Sequence, residues 1–241
     1  MKVLVVNQWP VNLGDRAMAH FMIRELIRNG IKNITISTGN PYYWSDLHNF
    51  AKTNIQFIPF GWSVCPKKPR PIGLLGKVWF HIKGIIYAKI CIPLVQRALI
   101  RDICPWYIRF LCSKKYWDAV EWADLVISGG GHRFTTLLVP DVRTHSMFDI
   151  TIALLRKKPV ALWSQTIGPL EFTNNKNRDF IKKILLNNSQ IVIRDEGSEK
   201  ELKKLGVLMD HVSKTRDSVF GLFDTVSYTH LRAHETSLHL V

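Results

Sequence analysis

The sequence is poor in acidic residues and has no hydrophobic run long enough to cross a membrane. Its 241 residues include 19 Asp and Glu against 33 Lys and Arg, which gives a formal net charge of +14. A membrane span needs roughly 18 uncharged apolar residues, and no stretch reaches that length. The first apolar run ends at Asn7 and is too short for a secretory signal. We therefore expect a cytoplasmic protein whose basic surface attracts anionic partners.

Cysteine is scarce, and histidine forms no metal-binding pattern. The four cysteines have no CxxC spacing, so free, reduced thiols are expected rather than a disulfide or a metal centre. His234-Glu235 followed by His239 imitates a zinc-protease motif, but the second histidine comes one residue too late for both to share a helix face. The sequence thus predicts no metal and no cofactor, and it lacks the GxGxxG fingerprint of NAD-binding enzymes.

The chain does have a regular alternation of strand-like and helix-like segments. Apolar, β-branched runs predict strands at residues 2–6, 33–37, 55–59, 124–128, 160–164 and 190–193. Helical spacing of apolar residues predicts helices at residues 14–28, 142–156, 179–186 and 198–205. Such alternation is typical of α/β domains. We therefore predict a Rossmann-like parallel sheet with flanking helices.

Residues 61–115 interrupt this alternation. They hold eleven basic residues and one acidic residue, Asp102, so +10 of the net charge of +14 lies in this insertion. Two interpretations stay open because the residues between the charges are largely apolar. One is an interfacial helix on a membrane surface, and the other is a helical hairpin that packs on the domain and exposes a basic face. Nucleic acid is not predicted as a partner, since no binding motif accompanies the charge.

The last residues, 226–241, have no clear period and follow the point where the α/β pattern stops. They resemble the read-through sequence that ends a truncated reading frame. We therefore expect one domain over residues 1–225, with the helical insertion at 61–115. Residues 226–241 are expected to be foreign to the fold or disordered.

Polar and glycine-rich clusters follow four of the predicted strands, at residues 7–15, 128–132, 165–169 and 194–198. The carboxyl ends of parallel strands lie along one edge of a sheet, and ligands bind there. We therefore expect Gly130, Gly168 and Arg194, although far apart in the chain, to converge on one anion-holding site.

The cluster after the first strand has Gly14 at a tight turn and Asp15 at a helix start. Glycine permits the turn, and the carboxylate either caps backbone amides or acts as a base near an anion bound by those amides. The motif alone favours plain capping.

The second cluster combines three glycines with a histidine and an arginine. The glycines of residues 129–131 let backbone N–H groups approach a phosphate or carboxylate closely. His132 is a candidate for proton transfer, and Arg133 is a candidate for pairing with an anion. The alternative is a flexible loop with a solvated His-Arg pair.

The last two clusters carry further polar groups. Gln165 beside Gly168 offers amide groups of the kind that bind sugar hydroxyls, or else belongs to a Gly-Pro turn bonded only to the backbone. Arg194 is a candidate phosphate ligand and Asp195 a candidate base; the alternative is a local salt bridge with a helix cap. Ser198 has capping-box spacing to the glutamate three residues later, which predicts a helix start there.

Taken together, five short motifs in this order resemble the polysaccharide pyruvyl transferase family. They are Asn12-x-Gly14-Asp15, Ser128-Gly129-Gly130-Gly131, Gln165-x-Ile167-Gly168-Pro169, Arg194-Asp195-x-x-Ser198 and Asp217-Ser218-Val219-Phe220. The resemblance implies the N-terminal half of a two-domain enzyme similar to GT-B glycosyltransferases, with the active site in the cleft between the domains. It also implies transfer of a pyruvyl group from phosphoenolpyruvate to a sugar of a cell-surface glycan, which forms a cyclic ketal.

Candidate roles follow from the motifs and the chemistry. The candidate catalytic residues are Asp15, His132 and Asp195. The candidate substrate-binding residues are Asn12, Gly14, Gly129, Gly130, Gly131, Arg133, Gln165, Gly168, Arg194 and Ser198. The expected partners are phosphoenolpyruvate and a glycan or lipid-linked saccharide, with a peripheral contact of the insertion at the inner face of the cell membrane.

Two other functions remain open at this point. One is a GT-B-type glycosyltransferase that uses a nucleotide sugar, because fold alone does not fix function. The other is a non-catalytic, membrane-peripheral glycan-binding protein. The family's second domain supplies part of the donor site, so we also expect that the chain lacks activity without it.

Overall fold

The structure is a computed structural model, which describes residues 1–8, 13–39, 54–61, 74–137, 144–218 and 220. For residues 74–77, 80, 83 and 144–146 only the backbone is described. Asn12, Cys65 and the tail at residues 226–241 lie outside the described residues.

Eight strands and eight α-helices make up these residues. The strands are β1 (Lys2–Gln8), β2 (Asn33–Thr38), β3 (Asn54–Ile58), β4 (Leu125–Ser128), β5 (Gly131–Phe134), β6 (Val160–Ile167), β7 (Gln190–Ile193) and β8 (Val212–Lys214). The helices are α1 (Leu13–Arg28), α2 (Leu74–Ile86), α3 (Ile92–Ile100), α4 (Ile108–Leu111), α5 (Lys114–Trp122), α6 (Thr144–Leu155), α7 (Asn175–Asn187) and α8 (Glu196–Leu205). A π-helical turn, Tyr87–Cys91, joins α2 to α3.

All strand pairs in the sheet are parallel, and the order is β3-β2-β1-β4-β6-β7-β8. The long strand β6 pairs with β4 through its first half and with β5 through its second half. The predicted Rossmann-like α/β fold is confirmed. From β1 the chain first adds β2 and β3 on one side and then β4 and the later strands on the other, so the strand order reverses between β1 and β4. A ligand crevice forms at such a point in open α/β sheets.

Helices cover both faces of the sheet because the central strands are apolar on both sides. In β1, Val3 and Val5 pack in the core cluster that contains Met22 of α1. Leu4 and Val6 point to the opposite side, into the larger cluster. Alternate residues of a strand face opposite sides, so a run of consecutive apolar residues marks a strand that is buried twice.

The basic insertion divides into a packed half and an exposed half. Helix α3 packs on the domain through buried Val95, Ala98 and Leu99, as the packed interpretation predicted, but α2 runs through the π-helical turn into α3 as one rod and does not form the predicted hairpin with it. Helix α2 does not pack in this way, since every described side chain from Val78 to Ile86 is exposed. Within the described ranges, no helix has both the length and the apolar character that a membrane crossing requires.

The structure corrects several predicted boundaries. Strand β5 was predicted as part of a loop, but Gly131 pairs with Gln165 and the strand buries Phe134. Strand β8 has one intermediate and two exposed residues and gave no apolar signal. Cys91, Cys104 and Cys112 are free thiols, as predicted.

Helix α8 begins at Glu196, not at Ser198. The cap is Asp195, whose side chain accepts the Ser198 N–H, so the predicted capping box of Ser198 with Glu201 is wrong. Glu201 instead accepts the backbone N–H of Leu170 at 2.9 Å. Asp195, three positions before Ser198, has the cap geometry instead.

Candidate active site at the carboxyl edge of the sheet

The predicted convergence of distant loops is confirmed. A Cβ atom on Gly130 would lie 3.2 Å from the backbone oxygens of Trp163 and Ser164, near the end of β6. The N–H of Arg194 donates to the carbonyl of Gln165 at 3.3 Å. The N–H of Gly168 donates to the carbonyl oxygen of Phe134 at 2.7 Å. The ends of β5, β6 and β7 therefore form one continuous rim, and α1 begins beside it.

The glycine run is needed for close packing at this rim. A Cβ atom on Gly129 would lie 1.7 Å from Nε2 of Gln8, far closer than two non-bonded atoms can approach. The N–H of Gly129 also donates to the carbonyl of Val6 at 3.1 Å, so this amide is used inside the sheet. Gly131 has a φ of 124°, in the region that favours glycine. The glycines therefore join β4 to β5 across the end of β1.

Asp15 lies in the first turn of α1, directly against this glycine run. A Cβ atom on Gly131 would lie 3.5 Å from its Oδ1 atom. Burial raises the pKa of Asp15 above its ordinary value, although the charges of Arg133 and Arg194 act in the opposite direction. A carboxyl group with a raised pKa, held in the first turn of a helix, is a better proton acceptor than an exposed carboxyl group.

Arg133 extends from β5 on the side of Asp15. Its guanidinium is largely buried, and its Nε atom has no hydrogen-bond partner among the described residues. Desolvation lowers the pKa of Arg133, and the charge of Asp15 opposes this effect. The pair thus holds a buried positive charge next to a partly buried carboxylate, and the buried Nε atom is left without a partner among the described residues.

Arg194 ties three parts of the rim together. Its Nε atom donates to Thr166 Oγ1 at 2.6 Å, and its Nη1 atom forms a salt bridge with the carboxylate of Asp217. Nη1 also lies 3.5 Å from the sulfur of Met18 in α1. The motif at residues 217–220 is thereby joined to the other motifs. Arg194 does form a salt bridge, but its partner is the distant Asp217 and not a residue of its own motif, so the predicted alternative of a local salt bridge is wrong in its partner.

Asp195 acts as a helix cap. One carboxylate oxygen accepts from the N–H and the hydroxyl of Ser198 at 2.7 Å and 2.8 Å, and the other accepts from Thr166 at 3.0 Å. Desolvation opposes the effect, but these hydrogen bonds and the charge of Arg194 together lower the pKa of Asp195. Ser198 in turn accepts the N–H of Ile167 at 2.8 Å. Both oxygens of Asp195 are thus engaged, which makes Asp15 the better candidate base.

His132 and Gln165 are held by backbone groups. His132 Nε2 lies 2.6 Å from the carbonyl oxygen of Gly168, and the alternation of β5 directs the imidazole to the face opposite Arg133. Gln165 is fully buried and donates through Nε2 to the carbonyls of Gly129 and Trp163. Among the described residues, both hydrogen bonds of the Gln165 side chain go to backbone carbonyls, which agrees with the interpretation of a backbone-bonded residue. Gly14 lies in the first turn of α1.

Sequence reasoning missed a set of buried polar residues behind the rim. Asn7 and Ser164 have positive φ angles of 62° and 48°, which are uncommon for these residue types. Asn7 donates to Ser128 Oγ at 3.1 Å, and Ser164 Oγ accepts the N–H of Ser218 at 3.2 Å. Polar residues at the last positions of apolar strand runs were the available signal.

A family model described as polysaccharide pyruvyl transferase matches residues 12–234 of the chain. No curated protein sequence matches this chain. Among solved structures, UDP-GlcNAc 2-epimerase from Neisseria meningitidis bound to UDP-GlcNAc is 14% identical with a TM-score of 0.49, over 97% of this chain and 52% of that one. The UDP co-structure of S. aureus MnaA is 9% identical with a TM-score of 0.48, over 95% of this chain and 48% of that one.

A further similar structure is UDP-GlcNAc 2-epimerase from Methanocaldococcus jannaschii. It is 11% identical with a TM-score of 0.48, over 100% of this chain and 54% of that one. The chain therefore spans about half the length of the solved structures it matches. The family match contains every loop of the rim, from Asp15 to Asp217. The chain belongs to the polysaccharide pyruvyl transferase family.

Proposed function

We propose that residues 1–225 form the N-terminal, Rossmann-like half of an enzyme that transfers a pyruvyl group from phosphoenolpyruvate to a sugar of a cell-surface polysaccharide. The family match supports pyruvyl transfer, and the rim supplies residues suited to it. The observation that carries the proposal is the position of Asp15, partly buried beside Arg133 at the point where the strand order reverses.

The reaction makes two new C–O bonds at one carbon. Protonation of the methylene carbon of phosphoenolpyruvate turns it into a methyl group and leaves a cationic C2 atom. One sugar hydroxyl attacks C2 and loses its proton to a base. Phosphate then leaves as a second hydroxyl of the same sugar adds, and its proton is also released. The products are a cyclic ketal and inorganic phosphate, with no oxidation or reduction.

In this proposal Asp15 is the base for an attacking hydroxyl. Its raised pKa matches the operating pH better than that of an exposed carboxyl group, and such positioned acid–base groups contribute about 10²–10⁴-fold to a rate. Arg133 supplies the positive charge that attracts the carboxylate or phosphate of the donor to the side of β5 where Asp15 lies. Arg194 is a positioning residue, because its contacts are within the protein. His132 is held at Gly168 on the other side of β5, so this proposal gives it no proton-transfer role beside Asp15.

A genetic test suits an enzyme whose donor site extends into a second domain. Deletion of the gene should remove pyruvate ketals from the cell-surface glycan, as seen by loss of the ketal methyl signal in proton NMR. Wild-type gene should restore the signal, and Asp15→Asn should not. Asp210→Asn changes an exposed carboxylate far from the rim and is the matched control; it should restore the signal.

Binding to the purified chain gives a second, independent result. Phosphoenolpyruvate should raise the thermal denaturation midpoint, and UDP-sugars should leave it unchanged. The opposite pattern, together with unchanged ketals after gene deletion, would assign the site to a nucleotide-sugar enzyme instead.

A further inference from the structure

Helix α2 presents a stripe of apolar side chains to solvent. Val78, Trp79, Ile82, Ile85 and Ile86 are all exposed, with Trp79 at 57% and Ile85 at 50% of their full areas. Their spacing of three and four residues places them on one side of the helix. Ile90 in the π-helical turn continues the stripe. Exposed apolar groups that form one patch, unlike scattered ones, mark an interaction surface.

The stripe is held firmly by the second half of the same helical rod. The backbone stays helical from α2 through Ile86, Cys91 and Ile92 into α3. Tyr87 and Cys91 are buried, and the Tyr87 ring lies 5.9 Å from the ring of Phe148 in α6. The buried side of the rod thus faces the domain at its second half, while the first half extends with its apolar side exposed over about 20 Å.

The charge around the rod has one sign. The one acidic residue within residues 61–115, Asp102, is paired with Lys157, whose Nζ lies 2.5 Å from the carboxylate. Exposed cations occur along the rod and the helices that follow it: Lys89, Arg97, Arg101, Arg109, Lys114 and Lys115. A protein partner of mixed charge would leave these cations unmatched, whereas a surface of uniform negative charge would match them.

We propose that α2 and the π-helical turn dock this protein on an anionic lipid surface, with the apolar stripe inserted between headgroups and the cations against phosphates. Amphipathic helices that combine an apolar side with Lys and Arg bind membranes in this way, and Trp is favoured at the interface. A second copy of the chain is a poorer occupant. A two-fold contact would bring the same basic surface against itself, and like charges repel.

The inference is independent of the proposed reaction, and a flotation assay tests it on the whole chain. The probes are vesicles of equimolar phosphatidylcholine and phosphatidylglycerol, with vesicles of phosphatidylcholine alone for comparison. The protein should float with the anionic vesicles, remain at the bottom with the neutral ones, and be released as salt screens the charges. Failure to float with anionic vesicles at low salt would overturn the proposal.

Two sets of variants separate the apolar and the charged contributions. Ile82→Ser with Ile85→Ser should weaken vesicle binding at least about 10-fold, since each removes an exposed apolar side chain from the stripe. Lys89→Gln with Arg97→Gln, at two exposed cations of the rod, should weaken it at low salt and reduce its salt dependence. Leu208→Ser removes a side chain that is equally apolar and 67% exposed, but lies after α8, and should leave binding unchanged.

These substitutions change exposed residues, so thermal denaturation should confirm that the fold is retained. Trp79→Phe gives a further measurement, because the wild-type fluorescence should shift to shorter wavelength with anionic vesicles and the variant should lack most of that shift. Equal loss of binding in the Leu208 variant and the stripe variants would show non-specific adsorption. Concentration-dependent dimers in sedimentation, lost in the stripe variant while vesicle binding persists, would assign the stripe to a second copy.

Discussion

Arg194 donates a hydrogen bond of 2.6 Å to the hydroxyl of Thr166, and the same hydroxyl donates to Asp195 at 3.0 Å. One side chain of β6 therefore fixes both the arginine of the rim and the cap of α8. Thr166→Val keeps the shape and removes both hydrogen bonds. We expect it to lower the free energy of unfolding by about 1–3 kcal/mol, because two polar partners lose a bond. Thr166→Ser keeps the hydroxyl and should stay within about 1 kcal/mol of wild type in the same denaturant titration.

The glycine run gives a prediction about packing. In Gly129→Ala the new Cβ atom would collide with the amide of the buried Gln8 side chain, which must shift and give up its hydrogen bond to the Val6 carbonyl. We expect the free energy of unfolding to fall by about 2 kcal/mol or more, measured as a fall in the thermal denaturation midpoint.

Gly84→Ala is the control for this change. No atom lies within 4 Å of a Cβ at Gly84, which is in the exposed helix α2. Alanine favours helix over glycine by about 0.5–1 kcal/mol, so this variant should be as stable as wild type or more so. Equal destabilisation by the two alanines would contradict the packing argument.

The buried Asp149 of α6 should make the free energy of unfolding depend on pH. Burial raises its pKa to about 7, although hydrogen bonds from the Ser37 hydroxyl and the Gly61 N–H act in the opposite direction. In the unfolded chain the carboxyl group ionises near its ordinary value of 3.8. Folding therefore takes up a proton between about pH 4 and pH 7, so this group makes stability fall as the pH rises through that range and level off above it.

Asp149→Asn should reduce this decline. The amide oxygen still accepts from Gly61, and no charge has to be buried. Relative to wild type, the variant should gain stability from about pH 4 to pH 7, with about 1.4 kcal/mol for each pKa unit that the substitution removes. Thermal denaturation over this range measures the gain. A constant difference between the two proteins at all pH values would show that Asp149 does not titrate there.

Arg133 tests the electrostatics of the candidate base. Because its charge lowers the pKa of Asp15, Arg133→Met should raise that pKa further. An NMR titration of the Asp15 carboxyl carbon measures this directly, and the acidic limb of any ketal-forming activity should move to higher pH. Arg178→Met, at an exposed position in α7, is the matched control and should leave the titration of Asp15 unchanged.

Much of the fold followed from local patterns, since the strands around β1 are consecutive apolar residues and the helices between them have clear periods. Strand β5 could not be predicted because its sequence, Gly131 to Phe134, reads as a polar turn and becomes a strand only through pairing with β6. The convergence of the loops was predictable from the parallel order alone. The proposed division of roles between Asp15 and Asp195 was not predictable. It depends on which of the two carboxylates is used to cap a helix, and the structure shows that Asp195 caps α8.

From composition alone, an exposed apolar helix within the insertion could be predicted, but its position in the sequence could not. Charge and apolar content are the same along residues 61–115, while only the tertiary contacts of α3 distinguish it from α2. The role of Asp149 had a weak signal, a single acidic residue within an apolar helical run, and its partners Ser37 and Gly61 come from distant parts of the chain.

The ring of Tyr87, which anchors the projecting helix, lies against Phe148, and the next residue along α6 is the carboxylate that fastens the ends of β2 and β3. One turn of α6 thus supports both the helix that carries the apolar stripe and the ends of β2 and β3. An experimenter who alters either side chain should measure vesicle attachment and thermal behaviour in the same variant, since a shift of that turn reaches both.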